Sequence, residues 1–147
     1  MNRSKDIGTR AETAATRFAQ DHGFPHADRL TMRGAQDRGD VGLCPGVIVE
    51  VKGGDAARNA TDLTIDRWLD ETYREREHAG AAVAFLVVQR GGVSGINAGR
   101  WWAWWRLGWV ADLAGQPWDL GNHTPVRMLY HEALTLVRLA GYGTPPV

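Results

Sequence analysis

Apolar residues first recur at helical spacing along this chain, then alternate, then recur helically again, and these changes of period mark out its elements. Ile7, Ala11, Ala14 and Phe18 form a stripe that predicts a helix from Ser4 to about His22, with Gly23 as its stop. A short strand is expected around Asp28 to Arg33, followed by a polar loop to Gly39. Asp40-Val41-Gly42 begins a second short strand, and Leu43-Cys44-Pro45-Gly46 reads as a turn. Val47 to Lys52 is β-branched, ends at Gly53-Gly54 and is the clearest strand of the chain. Asn59 to about His78 predicts a helix with Ile65, Trp68, Leu69 and Thr72 on one face. Strands follow at Ala82 to Val88 and, rich in tryptophan, at Arg100 to Leu107. Thr124-Pro125 has the form of an N-cap and first turn, so a final helix is expected from there, striped by Val126, Leu129, Tyr130, Ala133, Leu134, Val137 and Ala140. The tail from Tyr142 is expected to fray.

The 147 residues are enough for one domain with a single core, read as a nuclease-sized core over about 4–107 and a C-terminal extension over about 108–147. One cysteine, Cys44, excludes an internal disulfide and a cysteine-based zinc site. The five histidines lack ligand spacing on a helix face, which argues against a histidine metal site. No apolar run is long enough to cross a bilayer, and the N-terminal residues lack a signal peptide's apolar segment, so a cytoplasmic protein, bacterial or from a phage-infected cell, is expected. Net charge is zero, but cations crowd the first forty positions. Lys5 and Lys52 are the only lysines, against fifteen arginines, which singles out position 52.

Alternation places Ile48, Glu50 and Lys52 on one face of their strand. A carboxylate and an ammonium two residues apart in an apolar strand are costly to bury unless something uses them. The turn before this strand folds the chain back and brings Asp40 alongside Val49 or Glu50. A third carboxylate, Glu12, shares a helix side with Gly8, Ala15 and Ala19, small residues that fit a close approach to another element. Three carboxylates suit a hard divalent cation such as Mg²⁺, which can activate water and neutralise charge growing on a phosphodiester. Read singly, each residue has an ordinary role: Glu50 and Lys52 a solvated cross-strand pair, Asp40 a turn residue, Glu12 an exposed helix glutamate.

Gly8-x-x-x-Glu12, Arg38-Gly39-Asp40 and Val49-Glu50-Val51-Lys52, in that order, resemble the PD-(D/E)XK nuclease superfamily, and within it the archaeal-type and phage-borne Holliday junction resolvases. His22-Gly23-Phe24, Trp68-Leu69-Asp70-Glu71 and the strand to Val88 add to the likeness, which covers roughly the first 105 residues. The resemblance implies an α/β fold with a restriction-endonuclease-like αβββαβ core, a mixed central sheet and an added C-terminal helix. It implies phosphodiester hydrolysis dependent on Mg²⁺, with Mn²⁺ substituting. Glu12, Asp40, Glu50 and the carbonyl of Val51 would be metal ligands, and Lys52 the catalytic lysine. The implied partner is DNA, branched as in a four-way junction, bound by a homodimer, with Lys5, Arg10, Arg29, Arg33 and Arg38 placed to contact phosphates. The chain departs from the pattern in two places. Gly39 stands where the motif's name has proline, and the resolvase serine has only Thr31 as an approximate counterpart.

Other readings stay open: a restriction or repair nuclease, an exonuclease, or a non-catalytic DNA-binding protein on the same fold. The exonuclease branch carries a Gln-x-x-x-Tyr pair, and here Leu69 stands at the glutamine position before Tyr73. Trp101, Trp102, Trp104 and Trp105 are expected to serve the core on one strand face and a subunit interface on the other, rather than stacking bases, because Arg100 and Arg106 are the nearby cations in sequence. Asp70, Glu71, Glu75 and Glu77 read as a solvated helix face paired with Arg67, Arg74 and Arg76.

Overall fold

A computed structural model describes residues 3–30, 39–116 and 123–146. Helix α1 (Arg3–Gln20) leads into strands β1 (Asp28–Arg29), β2 (Val41–Cys44) and β3 (Val47–Lys52). Helices α2 (Gly54–Arg58) and α3 (Asp62–Ala79) then cross to β4 (Val83–Val88). A 3₁₀ segment (Gly95–Arg100), β5 (Trp102–Arg106), α4 (Leu107–Leu113), β6 (Pro125–Leu129) and α5 (Tyr130–Leu139) complete the chain. The strands form one mixed sheet in sequence order, antiparallel except for the β3–β4 pair, which the α2–α3 crossover makes parallel.

The sheet separates two layers. On one face Val47, Val49, Val51, Phe85, Trp101 and Trp105 pack with α1 and α5, and Phe85 stacks on Trp105 at 4.6 Å between ring centroids. On the other, Leu86 and Val88 pack with Ile65, Trp68 and Leu69 of α3. Every residue of β4 is buried, as expected of a strand covered on both faces. The first helix approaches closely because its buried side is alanine. At the end of β3, Gly53 meets Ala11, and a Cβ on Gly53 would lie 2.5 Å from the Ala11 Cβ.

Several expectations are corrected. The helix expected from Asn59 is preceded by a separate short helix, α2, and α3 starts at Asp62, where the Thr61 hydroxyl accepts from the Thr64 N–H at 3.2 Å. Pro125 opens β6 rather than a helix. Val126 and Met128 alternate inward while the strand pairs with β5, and as an edge strand it tolerates a proline at its first position. The helix begins only at Tyr130, whose buried hydroxyl donates to the Ala15 carbonyl of α1 at 2.9 Å. The C-terminal segment thus lies in the same core as α1. The tail is tied down as well: the Thr144 N–H donates to the Gly23 carbonyl at 2.7 Å, and Arg138 Nε to the Thr144 carbonyl at 2.7 Å. Of the strand expected over 28–33, the described part is Asp28–Arg29; Thr31, Arg33 and Arg38 lie outside the described residues.

Arg106 of β5 ties α3 to the segment before β6. Its buried guanidinium pairs with Asp66 and, at 2.9 Å, with Asp70 of α3, and donates to the His123 carbonyl at 2.9 Å. Both aspartates are at least half exposed, so losing the arginine leaves no buried charge behind. Arg106→Ala is therefore expected to lower stability by about 2 kcal/mol, the range of hydrogen bonds to a charged group, rather than the larger loss of a fully buried pair. Urea unfolding of the purified variant measures it; an unchanged midpoint would remove Arg106 from this role.

Candidate metal centre

The turn at Pro45-Gly46 returns the chain so that Val41 faces Val49 across the β2–β3 pair. Asp40, one residue earlier, donates its N–H to the Val49 carbonyl at 3.1 Å, and its Oδ2 accepts the Val51 N–H at 2.8 Å. Its carboxylate extends the ladder past the end of β2. Gly39 has φ +95°, a left-handed conformation closed to proline, and a Cβ there would press on Ile48 at 3.1 Å.

Glu50 is 2 % exposed, on the α3 face of the most protected part of the sheet. Its carboxyl hydrogen-bonds that of Asp40, and Glu75 of α3 lies close to it as well. Glu50 Oε2 has no hydrogen-bond partner among the described residues. Burial, then the Glu50 carboxyl, pushes the Asp40 pKa up to about 9. Burial likewise drives that of Glu50 up to about 9, with Glu75 adding to it and Asp40 and Lys52 opposing. At neutral pH the two neighbouring carboxyls therefore keep protons that a bound cation would replace.

Lys52 lies on the same face as Glu50. Its Nζ donates to Glu71 Oε1 at 3.2 Å and sits 5.4 Å from the centre of the Trp68 ring. Burial opposes its charge, but Glu50, Glu71 and Asp40 outweigh that and raise its pKa, so the ammonium stays protonated. Glu12 joins from α1. Burial and the Asp40 carboxyl raise its pKa, while Arg29 partly offsets them by pairing with Glu12 Oε2 at 2.9 Å. Arg29 is therefore engaged with the acidic group rather than standing apart for phosphate. Lys5 and Arg10 are exposed on α1.

Glu12, Asp40, Glu50 and Lys52 thus come together. Comparison with family models, curated proteins and solved structures finds no match. What the site does has to be argued from its own geometry.

Two residues of the site escaped the sequence reading. Glu50, Glu71 and Glu75 form the one group among the described residues whose metal-type ligand atoms all lie within 4.8 Å of one another, and this buried acidic cluster can bind a metal ion. Glu75 is 2 % exposed, not on a solvated face. The sequence held the signal: Ile65, Trp68, Leu69 and Thr72 continue at helical spacing to position 75, so a glutamate there points at the sheet. Glu71 lies beside that stripe and meets Lys52. All the donors are oxygens, the ligand type of hard cations.

Proposed function

We propose that this chain is a metal-dependent phosphodiesterase acting on DNA, a structure-selective endonuclease of the PD-(D/E)XK type. The observation that carries the reading is the convergence of the Asp40 and Glu50 carboxyls beside the Lys52 ammonium at the end of a buried strand. The element order, with α1, three antiparallel strands, helices and then β4 and β5, supports the αβββαβ core of that superfamily.

Asp40, Glu50 and the Val51 carbonyl would hold the ion, with Glu12 completing the acidic wall. The Lys52 ammonium already pairs with Glu71, so the proposed ion sits on the Asp40 side of Glu50. A divalent ion bound there would polarise the phosphodiester and make water a better nucleophile at neutral pH. Lys52 would stabilise the charge that grows on the phosphate oxygens. The junction-resolving form of the reading adds a homodimer, which presents one such site to each of two strands.

A labelled immobile four-way junction and a linear duplex, each incubated with the protein in Mg²⁺ or Mn²⁺, test this. Symmetric nicks in the junction with the duplex spared are expected, and Lys52→Ala is expected to lower the rate at least about a hundredfold. Cutting of both substrates would keep the nuclease and discard the resolvase. Intact binding without cutting in either metal would favour the non-catalytic DNA-binding reading.

A further inference from the structure

Trp102 and Trp104 alternate with the core residues of β5 and face the α3 side of the sheet. They line a cleft of about 280 Å³ together with Arg58, Arg90, Gln89 and Arg127. In sequence Arg100 and Arg106 are the nearby cations, and the fold adds Arg90 and Arg127 to this face. The Arg90 guanidinium lies 4.4 Å from the centre of the Trp102 ring, and that of Arg127 lies 3.8 Å from Trp102 and 5.6 Å from Trp104. Neither Arg90 nor Arg127 has an ion pair among the described residues. Arg58 is paired with Asp55, and Asp62 also lines the cleft, so Arg90 and Arg127 outweigh its acid and leave the lining net positive.

We infer that this cleft binds an unpaired DNA strand, one nucleotide at a time. A guanidinium stacked on an indole keeps its N–H edge for phosphate oxygens, and an indole offers a base the sequence-tolerant stacking that single-strand binding uses. An arriving base exchanges with one arginine on the indole face, and the displaced guanidinium turns to the phosphate. A recess of this size takes a single unstacked base, whereas bases inside a duplex are already stacked and out of reach. The cleft shares the sheet face of the metal centre: Glu50, Leu86, Trp104 and Arg127 lie in one row across β3 to β6. Trp104 is two strands from Glu50, about 10 Å. The choice of DNA as the polymer rests on the nuclease reading; the chemistry of the cleft does not.

Fluorescence anisotropy in EDTA, with a labelled oligothymidylate and a blunt duplex of equal length, tests this without any cleavage. Arg127 is exposed on an edge strand, so Arg127→Ala is expected to fold, which circular dichroism verifies. It should weaken single-strand binding at least about tenfold, duplex binding less than about twofold, and reduce the salt slope for the single strand by roughly one phosphate contact. Arg17→Ala, an equal loss of charge on exposed α1 across the sheet, should leave single-strand affinity unchanged. Equal losses on both DNAs, no loss on either, or a wild type with no single-strand preference would overturn the assignment. An Arg127-dependent single-strand site in a protein that cuts nothing would keep the cleft and reject the nuclease. Cleavage with single-strand binding indifferent to Arg127 would do the reverse.

Discussion

Glu50→Gln is expected to move activity and stability in opposite directions. In the proposed site Glu50 is an anionic ligand of the ion, and its loss would remove several kcal/mol of charge stabilisation from the reaction, so cleavage should fall at least about a thousandfold. The same change replaces a buried carboxyl, crowded by Glu75, with a neutral amide that can still accept or donate a hydrogen bond. In EDTA at pH 8 the variant should therefore be more stable than the wild type, by about 2 kcal/mol, or roughly 4–8 °C in Tm for a chain of this size. Differential scanning calorimetry beside the junction assay reads both quantities. A variant that is destabilised and still cuts would mean that Glu50 serves packing alone.

Stability without metal should fall as pH rises. Asp40 and Glu50 move from ordinary values of 3.8 and 4.5 to about 9 in the folded chain, and Glu12 moves in the same direction. The fold thus holds protons that the unfolded chain releases. That stability is complete below about pH 4 and is lost progressively up to about 9, at up to about 1.4 kcal/mol per pH unit for each proton retained. The pair is coupled, so its two protons leave in two steps, and the slope is expected nearer one proton than two. Lys52 is raised from 10.5, so its transition falls above this window. In EDTA, Tm should drop by at least about 5 °C between pH 5 and pH 8, and saturating Mn²⁺, which takes the place of the protons, should abolish most of the drop. A flat profile in EDTA would mean that the two carboxyls are compensated by other groups.

The centre of this arrangement was legible in the sequence because local rules govern it. A short turn next to a β-branched strand sets Asp40 beside Val49, and alternation alone puts Glu50 and Lys52 on one face. The rest depends on contacts that local patterns do not encode. Val126, Leu129 and Tyr130 fit a helical period, and a Thr-Pro pair before them looks like a cap. The free edge of β5 instead draws Pro125–Leu129 into the sheet, a case of tertiary pairing overriding propensity. Glu75 lay on a helix stripe that could have been followed one step further, but an acid there passes for a solvated residue until the facing strand is known to carry another acid. Arg90 and Arg127 reach Trp102 from different segments of the chain, which no spacing rule connects.

The proposed function requires that Asp40 and Glu50 be held together for a divalent cation. Titrating the purified chain with Mn²⁺ at pH 8, with the free ion followed by electron paramagnetic resonance, measures this directly. Saturable binding to the wild type is expected, weakened at least about tenfold in Asp40→Asn and in Glu50→Gln, with both variants still folded. Absence of saturable binding, or binding that neither substitution alters, would contradict it.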